Sequence, residues 1–388
     1  MGPEGQAVAA DLPATLPALP CYGESSLADL ASSVLASLGV AGEANPLELA
    51  GADRVCLLVV DGLGWELLRG HPAAAPFLSE LAMSGRPLTA GFPATTATSM
   101  ASLGTGRPPG QHGVLGYQVA IPGEARLLNA MHWDASVDPV AWQPAATIFE
   151  RAAAAGVAAS RVSHSSFRQT GLFVATMRGA EYVNANTFGA LVGEAAAVLR
   201  RSDRALAVVY HGELDATGHV YGCSSDAWRY HLGHVDKLAE QLVGALPTGT
   251  ALYVTADHGM VDVPEQDRID VDGVAALREG VALLGGEPRA RHVYCTPGAA
   301  GDVLAAWRAV LGHRAWVVPR EEAIADCWFG PAVEPWLAPR IGDVVAAPAG
   351  PCAIVASKAE PRESALIGMH GSLTPADQLV PLLTLSAF

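Results

Sequence analysis

The chain is short of positive charge. Lys and Arg total 24 against 39 Asp and Glu, a formal charge of −15. A long nucleic acid needs a basic surface, so this balance argues against one as partner. A small anionic substrate stays open wherever metal ions supply local positive charge. Cysteine is scarce too. Cys21, Cys56, Cys223, Cys295, Cys327 and Cys352 are widely separated and form no C-x-x-C pair, which reads as buried free thiols rather than a disulfide frame. No apolar run approaches the ~18 residues of a membrane span. The first twenty residues lack the basic and apolar regions of a secretory signal, and Gln6 leaves the myristoylation pattern incomplete. These absences lead us to expect a cytoplasmic chain with no membrane span, and they leave its oligomeric state open.

What is present is material for a large core. Half of the 388 residues are hydrophobic, and 41 Gly and 27 Pro are dispersed rather than clustered. That suits roughly two to three domains, or one large α/β domain carrying an inserted cap. A helix capped by Ser25 or Ser26 runs to about Gly39. Val55–Val60 is a continuous apolar run ending in Asp61-Gly62, as in a strand buried on both faces. A helix over 72–84 follows, stopped by Gly85 and Pro87. The alternation continues with helix Ala145–Ala155, a short strand Ser160–Val162, helix Phe188–Arg201, strand Ala205–Tyr210, helix Ser225–Leu246 and strand Ala251–Ala256. Strands alternating with long helices imply an α/β fold: a doubly wound, mostly parallel central sheet with helices on both faces.

Residues 262–368 break this rhythm. His292–Thr296 and Ala315–Val318 read as strands, Gly301–Leu311 as a helix, and Val344–Ala356 as one or two more strands. The expected organisation is a lead-in at 1–24, a core at 25–261 and 369–388, and a smaller α+β cap at 262–368. No residue of the cap carries a diagnostic pattern.

In open α/β sheets ligands bind at the carboxyl ends of strands. Polar residues follow apolar runs at Asp61, at Asp215 and His219, and at Asp257 and His258. His370 adds a glycine-flanked imidazole near the C-terminus. One Asp after a strand is ordinarily a helix cap, and one Asp-Gly is ordinarily a turn. Three Asp and three His together make a full ligand set for two divalent ions of zinc's borderline character. The spacing of four from Asp215 to His219 puts both on one face if the stretch is helical. The segment Pro93-Ala94-Thr95-Thr96-Ala97-Thr98-Ser99 is a hydroxyl cluster at a helix start. Each of these hydroxyls is more simply a cap, but one threonine there could attack an anion held at the helix N-terminus.

The segments VVDGLGW, FPATTATSMASLGTGRPPGQHGV, ELDATGHVYG, TADHGM and MHG, in this order across residues 55–371, resemble the nucleotide pyrophosphatase/phosphodiesterase branch of the alkaline phosphatase superfamily. The resemblance implies one metal held by Asp61, Thr96, Asp257 and His258 and a second by Asp215, His219 and His370, with Zn2+ the expected ion. It implies Thr96 as nucleophile, with Thr95 the fallback one residue away. The implied reaction is cleavage of a phosphodiester or pyrophosphate through a phospho-threonine, on a small phosphate ester such as a nucleotide. The sequence departs from the family where an Asn that donates to a phosphate oxygen is expected: Tyr117 stands at or beside that place, and a phenol has one proton to donate. Trp65, just after the first motif, is a candidate pocket residue, with core packing the blander role.

His211 and Glu213 flank the second metal motif as candidate partners of the ligating imidazoles. His112 reads as structural, and His132, His164, His231, His234 and His292 have no supporting pattern. Alternative readings are a phosphomonoesterase or phosphonate hydrolase, and a metal-binding module without catalysis. A sulfatase or phosphoglycerate mutase is disfavoured because neither nucleophile context occurs.

Overall fold

The apolar run becomes Arg54–Val60, the middle strand of a seven-stranded sheet. The computed structural model describes residue 13 and residues 15–385. The sheet order is Arg86–Thr89, Leu379–Leu385, Thr250–Thr255, Arg54–Val60, Ala205–His211, Ala158–Ser163, Glu181–Asn184. Arg54–Val60 pairs in parallel with Thr250–Thr255 and Ala205–His211, and Ala158–Ser163 pairs in parallel with both its neighbours. Leu379–Leu385 alone among the seven runs against them. Ala205–His211 is buried at every residue, as a strand covered on both faces must be.

Two sets of helices cover those faces. Leu27–Ser37, Thr96–Thr105 and Ile148–Ala154 pack on one another, as do Pro76–Ala82, Phe188–Arg200 and Asp226–Ala245. Their starts follow local chemistry. Thr147, Thr187 and Ser225 each accept a first-turn N–H, from Glu150, Ala190 and Trp228. The helix expected over 72–84 is the shorter Pro76–Ala82, and a separate helix, Trp65–Gly70, comes before it. Pro76 opens the later of the two, and the Asp236 carboxylate of the long helix accepts its Phe77 and Leu78 N–H groups at 3.3 and 2.7 Å. Arg86–Thr89, Glu181–Asn184 and Val281–Glu287 are strands the sequence pattern did not suggest. The first and second are short edge strands, and Gly285-Gly286 interrupts the third. No described helix is long and apolar enough to cross a membrane.

Most of the lead-in lies outside the described residues. Its last part is docked, with the Tyr22 hydroxyl donating to Trp328 O and accepting from Phe92 N–H.

The segment after residue 262 carries an antiparallel sheet ordered Val281–Glu287, Ala290–Cys295, Val344–Pro348, Ala315–Pro319, with the helix Ala300–Leu311 packed on it through Val303 and Trp307. Its two ends meet where Gly368–Met369 pairs with Val261–Asp262. The turn after Val281–Glu287 is tied to the core by Arg289, fully buried and bidentate to the equally buried Asp377 at 2.8 and 2.6 Å. Removing one member of such a pair strands a charge in low dielectric. Arg289→Met should therefore lose about 3–5 kcal/mol in urea unfolding, and the double variant Arg289→Met/Asp377→Leu should recover most of it. A single-variant loss under about 1 kcal/mol would remove the pair from its anchoring role.

Candidate active site

The parallel strands deliver their polar successors to one place. Asp61 follows Arg54–Val60, and Asp257 and His258 follow Thr250–Thr255. Asp215 and His219 lie one turn apart on the helix Glu213–Tyr221, after Ala205–His211. Two groups of potential ligands result, Asp61 with Asp257 and His258, and Asp215 with His219 and His370; within each group the ligand atoms lie within 4.8 Å of one another. The Asp-Gly turn is needed for this approach. Gly62 has φ +73°, and a Cβ there would sit 3.1 Å from the Asp215 Cβ.

The histidines are oriented by the backbone. Nδ1 of His219 lies 2.7 Å from Gly368 O, Nδ1 of His258 lies 2.9 Å from Gly259 O, and Nδ1 of His370 lies 3.0 Å from Ala94 O. A carbonyl oxygen only accepts, so each Nδ1 carries the proton and each Nε2 faces the carboxylates. His219 Nε2 is 3.2 Å from Asp215 Oδ2, His258 Nε2 is 3.2 Å from Asp61 Oδ1, and His370 Nε2 is 3.9 Å from Asp215 Oδ1. Either a proton or a divalent cation can bridge such pairs.

Three observations favour cations. Asp215 Oδ1 and Asp257 Oδ2 are buried without a hydrogen-bond donor. Burial pushes the Asp61 carboxyl well up, and Asp257 and Asp215 push the same way, so the carboxylates crowd one another. His258 and His370 stack at 3.6 Å between ring centres. Burial and then His258 hold His370 well below the ordinary imidazole range, leaving its Nε2 an acceptor facing an acceptor. Two divalent ions would satisfy the carboxylates and imidazoles alike.

Thr96 opens the helix Thr96–Thr105 with Thr95 as its N-cap residue. Thr96 Oγ1 lies 3.2 Å from His258 Nε2 and 3.5 Å from Asp61 Oδ1. Thr95 is buried and turns its hydroxyl to Glu287 Oε2 at 3.4 Å. Thr98 and Ser99 face the core. Thr96 is thus the hydroxyl of the cluster beside both a carboxylate and an imidazole of the first ligand group.

A cavity of about 310 Å³ opens over Thr96, Asp215, His219 and His370. Tyr117 lines it and donates to Glu363 Oε1 at 3.1 Å. Trp65 does not reach it: the ring is buried in the main core under Arg69, because the helix that starts there turns its first residue inward. Nor do His211 and Glu213 support the ligating imidazoles. His211 pairs with Glu213 through Nδ1 at 2.8 Å and with His231 through Nε2 at 2.8 Å, since the strand end turns His211 away from the ligand groups. His112 is structural, with Nδ1 accepting from Val114 N–H and Nε2 3.1 Å from Ser102 Oγ.

Two site residues escaped the sequence reading. Tyr210, the residue before His211 in its strand, donates to Asp61 Oδ2, and inspection one position earlier at that strand end would have found it. Glu287 enters the cavity wall from the antiparallel sheet, where burial pushes its carboxyl up to about 8. Its signal, a Glu closing a glycine-broken strand, was legible only as a turn.

Comparison with known proteins supplies the family. A sequence model of the type I phosphodiesterase/nucleotide pyrophosphatase family matches residues 55–373. The human ectonucleotide pyrophosphatase/phosphodiesterase family member 7 is 28% identical over 258 residues, covering 61% of this chain and 54% of that protein, so the chain spans about half the length of the curated relative it matches. The structure of murine ectonucleotide pyrophosphatase/phosphodiesterase 5 superposes with a TM-score of 0.68 at 21% identity, over 85% of this chain and 87% of that one. An inactive threonine-to-alanine variant of that murine protein, in complex with AMP, matches equally at 20% identity, with TM-score 0.68 and the same coverage. Phosphonoacetate hydrolase from Sinorhizobium meliloti 1021, in complex with phosphonoacetate, superposes with a TM-score of 0.64 at 19% identity, over 86% of this chain and 90% of that one. These structural likenesses speak for the fold. With the family match running over most of its length, the chain belongs to the type I phosphodiesterase/nucleotide pyrophosphatase family of the alkaline phosphatase superfamily.

Proposed function

We propose that the chain is a two-metal hydrolase that cleaves a phosphodiester or pyrophosphate bond of a small ester, such as a nucleotide, through a phosphorylated Thr96. One observation carries this reading: a single partly exposed threonine hydroxyl lies against the carboxylate and imidazole of Asp61 and His258 and lines one cavity with the second such group, Asp215, His219 and His370. Asp61, Asp257 and His258 would hold the ion nearer Thr96, and Asp215, His219 and His370 the other. The two ions, Zn2+ by the donor set, would supply Lewis acidity that lowers the pKa of the attacking hydroxyl and offsets the charge of the phosphoryl oxygens.

The chain's own residues do the rest. Thr96 Oγ1 forms a bond to phosphorus as the bond to the leaving oxygen breaks, and the threonine proton departs on that leaving oxygen. Water then attacks phosphorus, and the bond to Thr96 Oγ1 breaks as a proton of that water restores the hydroxyl. Gly62 and His258 N–H hold Asp257 by its Oδ1 at 3.1 and 3.0 Å, and Tyr210 holds Asp61 by its Oδ2, so neither carboxylate must reorganise during the reaction. In the murine relative, a threonine-to-alanine variant is described as inactive and is seen with AMP, which supports both a nucleotide-like substrate and a threonine nucleophile here.

A second reading, a phosphomonoesterase or phosphonate hydrolase, is favoured by Tyr117. Its one donor is engaged by Glu363, so the hydrogen bond expected from an Asn is missing. Relative rates on an aryl diester, the corresponding monoester and phosphonoacetate separate the two.

Thr96→Ala should lower kcat on bis(p-nitrophenyl) phosphate by at least about 10³-fold, while Thr95→Ala, which loses only the contact to Glu287, should cost less than about tenfold. The opposite ranking would transfer the nucleophile to Thr95. Metal analysis should find two divalent ions per chain, lost on chelation together with several degrees of melting temperature and regained with Zn2+. His219→Ala should retain the ion at Asp61, Asp257 and His258 while losing most of the other. Full stability and turnover in chelator would overturn the two-metal assignment.

A further inference from the structure

Thr96 also lines a second cavity. About 430 Å³ in volume, it shares Thr96 and Met131 with the first and is walled by Arg161, Phe173 and Tyr210. Arg161 is only 5% exposed and projects from the strand Ala158–Ser163, next to the strand that carries Tyr210. Four arginines are this deeply buried among the described residues, and in each of the other three a terminal nitrogen lies on a protein oxygen. Arg289 is bidentate to Asp377, Arg291 pairs with Glu360 at 2.7 Å, and Arg340 donates to the carbonyls of Gly113 and Trp142. Arg161 is different. Among the described residues its one hydrogen bond is from Nε to Ser163 Oγ, at 3.3 Å, and no carboxylate pairs with it. Its guanidinium lies 4.7 Å from the centre of the Tyr210 ring and 6.0 Å from that of Phe173, so two cavity walls hold its plane. A buried guanidinium without a counter-ion is costly, and the aromatic faces offset only part of that cost. The terminal N–H groups remain for a guest, and what a guanidinium takes is a pair of anionic oxygens.

We propose that this cavity is a subsite for a second anionic group of the substrate, a carboxylate or a second phosphate a few atoms from the reacting phosphorus, with Arg161 as its specificity-determining residue. The assignment rests on the hydrolase reading for its orientation toward Thr96. It also deepens that reading: a substrate bearing two anionic groups spans both cavities, with its phosphorus over Thr96 and its second charge on Arg161. In a protein of charge −15, a buried cation is the feature able to hold that second charge away from the metal-ligand groups.

The test compares three probes by titration calorimetry on the zinc-loaded full chain: ethylphosphonate, 3-phosphonopropionate and methylenediphosphonate. The first has no second anion, the second adds a carboxylate and the third a second phosphonate. We expect the wild type to prefer at least one of the two bifunctional probes over ethylphosphonate by about 10- to 100-fold, and which one it prefers identifies the source of the second charge. Arg161→Met should abolish that preference, and Arg161→Lys, which keeps the charge and the buried stem, should retain part of it. No preference in the wild type, or an equal loss of all three probes in Arg161→Met, would overturn the subsite and leave Arg161 as a prop for Tyr210. Preference without hydrolysis of any phosphate ester would sink the hydrolase reading while sustaining the anion site.

Discussion

Three carboxylates that repel one another are brought together at the ends of neighbouring strands, and the rest of the structure answers to that placement. Asp61 and Asp257 are buried with Asp215 beside them, and after burial itself Asp257 and Asp215 raise the cost of ionising Asp61. Positive charge has to come from somewhere, and the chain is poor in it overall. The three imbalances agree: an acidic protein, an acidic cluster, and imidazoles turned so that their lone pairs face the cluster rather than away from it.

The imidazole orientation depends on parts of the chain far apart in sequence. His219 is set by the carbonyl of Gly368, His370 by that of Ala94, and His258 by that of Gly259. Each histidine therefore reads out the position of a backbone segment, and two of the three report on segments more than a hundred residues away. The site is held by the whole architecture, and the buried Arg289–Asp377 pair is where the antiparallel sheet is fastened to it.

The antiparallel sheet contributes more than shelter. Glu287 reaches the cavity beside Thr95 and His370, while the stretch leading back to the core supplies Arg362 and Glu363 to the same wall. Two glutamates and Arg362 in one cavity at Thr96, and in the other a guanidinium with no carboxylate partner, make the surroundings of its hydroxyl asymmetric. On the proposed reading such asymmetry would select among substrates, whereas the candidate ligand groups would serve any phosphoryl centre.

Much of this was readable before any fold was known. Apolar runs such as Val55–Val60 announce doubly covered strands, because only an interior strand can be hydrophobic on both faces. The polar residues that follow those runs are placed by topology, because parallel strands all end on one side. That logic brings together five of the six candidate ligand residues, all but His370, which follows the short antiparallel strand Gly368–Met369, and motif spacing carried the family. It failed for Trp65, where one residue of helical rotation sends a ring into the core instead of the cavity. It failed equally for His211 and Glu213, which satisfy each other. Arg161 and Glu287 were invisible for a different reason. Their meaning lies in what is absent around them, a counter-ion for one and a donor for one oxygen of the other, and absence of a neighbour is a property of three-dimensional packing. The amino-acid order therefore determined the interior strands of the sheet, the candidate ligand residues that follow them and the family, since these follow from local periodicity, strand direction and motif spacing. Tertiary structure alone decided which threonine faces the ligands, which aromatic rings line a cavity and which buried charge is left without a partner, because each depends on contacts between segments that the order of residues leaves far apart.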